Sequence, residues 1–197
     1  ATLVLAEMCE RLDAVEGSSA LWRERANDIA DMKEAFCSKV DNECMTDETP
    51  IRSKRVVKEV NSVFGRNTIL VNENGSQDLW SYHSPYYRVL DEGCCVPPGA
   101  QTCMGFGVAA AVGVKLAKPD YKVVCIAGDG AFQMQMHALG TARQHNAAIT
   151  YVVLNNSCLG WIKVLQQRAG ERYICSSFDP SPDFAEIARA YRCYGEN

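Results

Sequence analysis

The sequence has 197 residues, 47% of them hydrophobic and 22% charged, which is typical of a globular domain with an additional segment. Its formal net charge is −4 and it has no Lys/Arg-rich run, which argues against a nucleic-acid-binding surface. The longest apolar runs, such as Val108–Val114, are too short to span a bilayer, and Ala1–Glu7 lacks the basic region of a secretory signal. We therefore expect a protein that binds neither nucleic acid nor membrane.

Ten cysteines are many for a chain of this length. No Cys-x-x-Cys occurs and the three histidines do not cluster with cysteines, which argues against a zinc site. Without a secretory signal, a disulfide framework is also disfavoured. We expect buried, reduced thiols that pack as small hydrophobic side chains, and hence a cytoplasmic location.

The N-terminal region is predicted to be helical from Ala1 to Val40, because it is rich in helix formers and has apolar residues near helical spacing. The polar stretch Asp41–Pro50 is predicted to be a linker. These patterns divide the chain into a helical segment with its linker, residues 1–49, and a domain over residues 50–197.

Strand and helix patterns alternate in this second region. Val56–Val63 is predicted to be a helix, Thr68–Asn72 a buried strand, and Ser84–Gly99 irregular because it contains three prolines. The remaining predicted elements are helix Met104–Ala117, strand Lys122–Ala127, helix Phe132–His145, strand Ala148–Leu154, helix Gly160–Arg168 and helix Pro182–Tyr191. This alternation predicts an α/β fold with a parallel sheet.

Two of the predicted strands end in oxygen-bearing side chains. One is followed by Gly128-Asp129-Gly130 and the next by Asn155-Asn156, with one helix between them. Parallel strands joined in this way can be neighbours, so Asp129 and Asn156 can meet at the carboxyl edge of the sheet, where ligands of such sheets bind. A carboxylate and an amide oxygen suit Mg²⁺, and the two glycines allow a bulky anion such as a phosphate to approach the backbone.

A second interpretation of the glycines is a dinucleotide-binding site. Gly105–Ala110 fits the pattern Gly-x-Gly-x-x-Ala, and Asp129 follows about twenty residues later. That fingerprint must directly follow a strand, however, and the preceding Cys94–Cys103 contains Pro97, Pro98 and Gly99. We therefore favour the metal and phosphate interpretation.

The segment Gly128–Asn156 resembles the thiamine diphosphate motif of the acetolactate synthase and benzoylformate decarboxylase superfamily. Gln101–Gly113 is similar to the family segment before the motif and Asn155–Ile162 to the segment after it, and the resemblance extends from about Pro50 to the C-terminus. It implies the thiamine diphosphate-binding fold, a three-layer doubly wound parallel sheet. It also implies a decarboxylase or carboligase that acts on a small 2-oxo acid.

The resemblance carries residue roles with it. Asp129, Asn156 and the backbone carbonyl of Cys158 are the implied Mg²⁺ ligands. Met104 is the implied apolar wedge under the thiazolium ring, which bends the cofactor into its reactive V shape. The other implied cofactor contacts are Asn74, Ser76, Gln77, Thr102, Gly128, Gly130, Ala131, Leu159, Gly160 and Trp161. For Trp161, packing in the core is an equal alternative.

Enzymes of this superfamily also have a pyrimidine-binding domain, whose glutamate activates the aminopyrimidine ring, and a middle domain that carries FAD in some relatives. The sequence shows no trace of the pyrimidine-binding domain, and the C-terminus stops early. Residues 1–49 resemble the helical tail of a middle domain, over Ala1–Val40, followed by a linker. We therefore expect a fragment that is inactive alone and whose parent is a homodimer or homotetramer, with the catalytic glutamate on the pyrimidine-binding domain of another subunit. The alternative is one subunit of a split enzyme.

Overall fold

The computed structural model describes residues 2–13, 18–91 and 94–197. The chain divides into two compact units, Ala1–Met45 and Thr46–Asn197, which are described separately. No helix in the described ranges has both the length and the apolar character required to cross a membrane.

The first unit contains helix α1 (Thr2–Asp13) and helix α2 (Ser18–Cys44). The predicted helical character is confirmed for the described residues, whereas residues 14–17 of the prediction lie outside them. The predicted start of a linker at Asp41 is wrong, because α2 continues to Cys44 and the Met45 N–H still donates to the Asp41 carbonyl at 2.9 Å. Residues 18–49 contain no glycine or proline, so none of these residues ends α2 earlier.

The second unit is a parallel sheet with flanking helices. Its elements in chain order are α3 (Ser53–Phe64), β1 (Thr68–Asn72), α4 (Asp78–Ser81), β2 (Cys95–Val96), α5 (Phe106–Ala117), β3 (Lys122–Gly128), α6 (Asp129–Gln135), α7 (Ala138–Gln144), β4 (Ile149–Leu154), α8 (Gly160–Arg168) and α9 (Phe184–Ala190). The strands lie in the order β2-β1-β3-β4, and every pairing is parallel. The predicted α/β fold with a parallel sheet is therefore confirmed.

Both faces of β1 and β3 are buried, as continuous apolar strands of a parallel sheet require. On one face, alternate strand residues such as Val71 and Cys125 pack in a core cluster with Val108 of α5, Leu139 of α7 and Phe184 of α9. On the opposite face, a second set of strand side chains has no solvent exposure: Leu70, Val124 and Ile126. This double burial fixes β1 and β3 as central strands, and their carboxyl ends position the site.

A fourth strand lies where the sequence predicts irregular structure. Cys95 and Val96 form β2, which pairs with β1 through Leu70↔Cys95 and Val71↔Val96. The strand ends after two residues because Pro97 and Pro98 have no N–H to continue the pairing. It escaped prediction because two residues between a turn and a Pro-Pro pair carry no periodicity.

The predicted helix Phe132–His145 is two helices instead of one. Between α6 and α7, the Leu139 N–H donates to the Met136 carbonyl and the Gly140 N–H to the His137 carbonyl, each at 3.0 Å. These are i→i+3 bonds, which tighten the chain locally and break the α-helical pattern. The break allows α6 to end beside the start of α5 while α7 packs on the core.

No disulfide joins cysteines within the described residues. Cys94, Cys125 and Cys158 are buried, as predicted. The prediction of burial is wrong for three exposed cysteines, Cys9, Cys103 and Cys175. Composition alone cannot separate the two groups, because burial of a small side chain depends on what packs over it.

Candidate functional site

The predicted site residues lie at the carboxyl ends of β1, β3 and β4. These strands are adjacent and parallel, with Asn72 paired to Ile126 and Gly128 paired to Leu154. The three strand ends therefore meet at one edge of the sheet, which is where ligands of open α/β sheets bind.

Asp129 is the first residue of α6, and its side chain is 1% exposed. One carboxylate oxygen accepts the Gly130 N–H at 2.9 Å. The other accepts the N–H of Ser157 at 2.6 Å and that of Asn156 at 3.2 Å. Since Asn156 and Ser157 follow β4, the carboxylate ties the ends of β3 and β4 together.

The turn after β4 contains one residue in the left-handed backbone conformation and two asparagines whose side chains form hydrogen bonds. Ser157 has φ +55°, a conformation that non-glycine residues rarely adopt. Asn155 accepts the Ser181 hydroxyl at 2.9 Å, which anchors the turn from outside. The Asn156 side-chain oxygen accepts the Cys158 N–H at 3.2 Å and faces the Cys158 thiol at 3.3 Å. Backbone strain of this kind is characteristic of functional turns.

The oxygen atoms of Asp129, Asn156 and the Cys158 carbonyl are suitable ligands for a magnesium ion. The three N–H groups on Asp129 use three of the roughly four lone-pair directions of a carboxylate, leaving one for a cation. The thiol on the Asn156 oxygen is a weak donor that a metal can displace. Ser157 and Leu159 carbonyls accept the N–H of Phe178 and Lys163, and among the described residues no N–H donates to the Cys158 carbonyl between them.

The Cys158 sulfur does not belong to this donor set. A soft thiol is a poor ligand for Mg²⁺, which prefers oxygen donors. Burial raises the pKa of the Cys158 thiol; Lys163 opposes the rise and the Asp129 charge adds to it. Within the described ranges, no three His, Cys, Asp or Glu side chains are grouped to hold a metal. An ion here would have one carboxylate, one amide and one backbone carbonyl, which suits Mg²⁺ because it retains water or phosphate oxygens.

Three glycines make space around Asp129. A methyl group added at Gly128 would have no atom within 4 Å, so the cleft beside this backbone is open. At Gly130 it would lie 2.6 Å from Leu159 Cδ2, and at Gly160 2.9 Å from Asn156 Nδ2. Gly130 allows α6 to approach Leu159, and Gly160 leaves space for the Asn156 side chain. Gly128 leaves room for a ligand.

The predicted contacts at the end of β1 form a second group. The Asn74 side-chain amide donates to the Thr102 carbonyl, which joins the loop after β1 to the loop before α5. Gln77 is buried and donates to the Glu73 carbonyl at 3.0 Å, so its amide supports the loop from inside. Thr102 has φ +43°, and Met104, two residues later, is partly buried.

The residue that sequence reasoning missed is Glu73. Its side chain has no solvent exposure, and its carboxylate accepts four backbone N–H groups, from Asn74, Gly105, Gly107 and Val108. The available signal was its position, because Glu73 directly follows the buried strand Thr68–Asn72, as Asp129 follows β3. Burial raises the pKa of Glu73, and the N–H donors oppose that rise.

The two groups of residues meet through α5 and α6. Gly105, at φ +89°, caps the start of α5. A methyl group there would lie 2.5 Å from Gln135 Cγ and 3.5 Å from Met134 Cβ. The turn that carries Thr102 and Met104 therefore lies against the helix that begins with Asp129.

Besides Thr102 and Asn156, which are also exposed, two predicted contacts lie at the surface. Ser76 is exposed, and Trp161, the second residue of α8, is 43% exposed. This exposure excludes core packing for Trp161 within the second unit as described. A contact of either residue with a cofactor stays a prediction.

Residues 73–197 match the family model described as "Thiamine pyrophosphate enzyme, C-terminal TPP binding domain". The chain belongs to this family. The matched range begins at Glu73 and includes both groups of site residues. The recognition made from Gly128–Asn156 is thereby confirmed.

Curated relatives of the chain are acetolactate synthases. It is 30% identical over 207 residues to the "Probable acetolactate synthase large subunit" of Methanococcus aeolicus, covering 97% of this chain and 33% of the relative. It is 32% identical over 144 residues to "Acetolactate synthase isozyme 2 large subunit" of Escherichia coli K12, covering 72% of this chain and 26% of the relative. The chain thus spans a third or less of the length of these relatives.

A solved structure is similar in fold. The thiamine diphosphate-dependent 4-hydroxybenzoylformate decarboxylase of Rhodococcus jostii RHA1 matches with a TM-score of 0.65 and 26% identity, over 74% of this chain and 27% of that chain. The similarity supports the doubly wound α/β fold. The dinucleotide alternative is weakened by topology, because β2 and β3, which flank α5 in sequence, are separated in the sheet by β1.

Proposed function

We propose that this chain forms the diphosphate- and Mg²⁺-binding half of a thiamine diphosphate site in a 2-oxo acid decarboxylase or carboligase resembling acetolactate synthase. The observation that carries the proposal is the Asp129 carboxylate, which is buried, joins the ends of β3 and β4, and keeps one lone pair for a cation. Membership of the family supports the cofactor, and the names of the relatives support the reaction class.

Each part of the site then has a role. Asp129, the Asn156 oxygen and the Cys158 carbonyl would hold Mg²⁺. The open cleft beside Gly128 would admit the diphosphate to the backbone of Gly130 and Ala131. The other predicted cofactor contacts are Asn74, Ser76, Gln77 and Thr102 in the group at β1 and α5, and Leu159, Gly160 and Trp161 after β4.

The reaction itself depends on cofactor geometry. When bound, thiamine diphosphate supplies the electron sink for decarboxylation of a 2-oxo acid. Met104, in the turn before α5, would press against the thiazolium ring and favour its bent shape. The group that activates the aminopyrimidine would come from a pyrimidine-binding domain, so we propose that these 197 residues alone do not turn over substrate.

The experiment measures Mg²⁺-dependent binding of thiamine diphosphate by calorimetry, in the complete natural protein that contains this sequence. Asp129→Asn removes the charge at nearly constant volume, and Asp120→Asn makes the same change at an exposed position between α5 and β3. We expect Asp129→Asn to weaken binding by more than ~100-fold, beyond the ~10–100-fold typical of outer-shell changes, and the control to leave it unchanged.

Equal affinities for the two variants would exclude Asp129 as a metal ligand. The dinucleotide alternative predicts the opposite ligand preference. Under that alternative, NAD would raise the melting temperature, whereas thiamine diphosphate with Mg²⁺ would not. Release of CO₂ from pyruvate by the isolated 197 residues would contradict the proposed need for a pyrimidine-binding domain.

A further inference from the structure

Glu73 is a buried carboxylate whose described partners are all backbone N–H groups. One oxygen accepts Asn74 at 2.8 Å and Gly105 at 2.9 Å. The other accepts Gly107 at 2.8 Å and Val108 at 3.3 Å. Four donors occupy all of the roughly four lone-pair directions of an ionised carboxylate. Glu73 is therefore saturated, and its carboxylate is not available to a ligand.

Burial of a carboxylate costs free energy unless hydrogen bonds compensate for it. The position of Glu73 therefore indicates which segment of the chain these hydrogen bonds hold. No cation contributes to the pKa shift of Glu73; burial and the four N–H donors account for it. Charge-assisted hydrogen bonds are roughly twice as strong as neutral ones, and a buried carboxylate needs them to remain ionised. Because all four hydrogen bonds are donated to the carboxylate, the geometry fits its ionised form, which places a negative charge at the junction of β1 and α5.

The segment held by this charge is the turn that carries Met104. Glu73 accepts the N–H of Gly105, the residue directly after Met104. Gly105 adopts φ +89°, a backbone conformation that residues other than glycine rarely adopt. On the other side of Met104, the Thr102 carbonyl accepts the Asn74 side-chain amide. Two adjacent residues at the end of β1 therefore hold the turn on both sides of Met104.

We propose that Glu73 is a positioning residue. Through its hydrogen bonds to the start of α5 it fixes the position of Met104 in the cofactor site. This inference rests on the proposed function, since it assigns a purpose to the Met104 turn. It separates the site into two parts. The Asp129 part would bind the diphosphate and metal, and the Glu73 part would hold the surface on which the thiazolium ring rests.

The two parts predict different responses to two ligands. Inorganic pyrophosphate with Mg²⁺ has no ring, so it would engage the Asp129 part alone, whereas thiamine diphosphate would engage both parts. In the complete natural protein, Glu73→Gln replaces one acceptor oxygen by an amide donor that opposes the backbone N–H groups. Glu10→Gln, on the exposed surface of α1, removes the same charge as a control.

We expect Glu73→Gln to weaken thiamine diphosphate binding by roughly 10–100-fold, the range typical of groups that orient a site from behind. Affinity for Mg²⁺-pyrophosphate should stay within about 2-fold, because the Asp129 part is intact, and Glu10→Gln should change neither affinity. If Glu73→Gln does not fold, Glu73→Asp replaces it, since it retains the charge but withdraws the carboxylate by one methylene. The same selective loss is expected for it.

An equal loss for both ligands would show a general structural role and overturn the inference. So would an unchanged affinity for thiamine diphosphate. Failure of the proposed function has a different signature, because then the unaltered protein would bind neither ligand in a Mg²⁺-dependent manner.

Discussion

The backbone of Gly107 lies against the carbonyl group of Asn72. A methyl group at Gly107 would be 2.6 Å from the Asn72 oxygen, 2.9 Å from its carbonyl carbon and 3.0 Å from Glu73 Cα. All three neighbours are backbone atoms of the end of β1, which cannot rotate away. The absence of a side chain at Gly107 therefore permits α5 to start close enough for its N–H groups to reach Glu73.

Replacement of Gly107 by alanine tests this contact. Gly107→Ala should destabilise the protein by about 1–3 kcal/mol, the usual cost of overpacking, because β1 and α5 must separate. Gly113→Ala is the matched control on the exposed side of α5, where a methyl group would meet nothing within 4 Å. It should instead stabilise the helix by roughly 0.5–1 kcal/mol.

Urea unfolding of both variants measures the difference. If the two alanines had the same effect, helix propensity would dominate and the contact with β1 would be unimportant. The Gly107 variant should also lose affinity for thiamine diphosphate, since separation of β1 and α5 withdraws the donors of Glu73.

The open cleft at Gly128 gives a prediction about ligand binding. Gly128 has φ −71° and ψ 152°, which alanine adopts readily. Gly128→Ala should therefore change the free energy of unfolding by less than about 0.5 kcal/mol. It should weaken thiamine diphosphate binding about 10-fold or more, because the methyl group fills the space proposed for the diphosphate and blocks its charge-assisted hydrogen bonding to the backbone.

Gly130→Ala provides a comparison for this prediction. There the methyl group would lie 2.6 Å from Leu159 Cδ2, so both stability and cofactor affinity should fall, with Leu159 rotating to relieve part of the clash. Calorimetry and urea unfolding on the same preparations give the two quantities. Unchanged affinity in the Gly128 variant would remove that residue from the site.

One buried tyrosine and one partly buried tyrosine predict how stability depends on alkaline pH. Burial raises the pKa of Tyr87 to about 12, and burial also raises the pKa of Tyr151, whose hydroxyl donates to the Val108 carbonyl at 2.9 Å. Below about pH 10 both the folded and the unfolded chain keep these protons, so the stability is fully present. Above it the unfolded chain loses protons first, so stability should fall as the pH rises from about 10 to 12.

Substitution by phenylalanine separates the contribution of each tyrosine. Tyr151→Phe should cost about 1 kcal/mol at pH 8 through the lost hydrogen bond, and Tyr87→Phe or Tyr151→Phe should each make the alkaline decline shallower. Tyr173→Phe, at an exposed position, controls for loss of a hydroxyl group. Urea midpoints between pH 8 and 11.5 measure the slope, and equal slopes in all variants would contradict the assignment.

Local sequence was sufficient to predict β1, β3 and β4, the strands whose carboxyl ends carry the site. Thr68–Asn72 was predicted with its observed bounds, and β3 and β4 within one residue at an end, because buried parallel strands are continuous apolar runs bounded by polar residues or glycine. The meeting of Asp129 with the Asn156 turn followed from the same pattern. Adjacent parallel strands place their carboxyl ends together whatever the rest of the fold does.

Only the tertiary structure revealed β2, the break between α6 and α7, and Glu73. The two-residue strand β2 exists because β1 pairs with it. The break between α6 and α7 shows only in the i→i+3 hydrogen bonds of Leu139 and Gly140. Glu73 was passed over because its partners, Gly105, Gly107 and Val108, lie more than thirty residues away and present only backbone N–H groups. Its position directly after β1 was the one signal in the sequence. Backbone donors carry no such signal, so the partners of Glu73 are identified only when the folded chain brings them together.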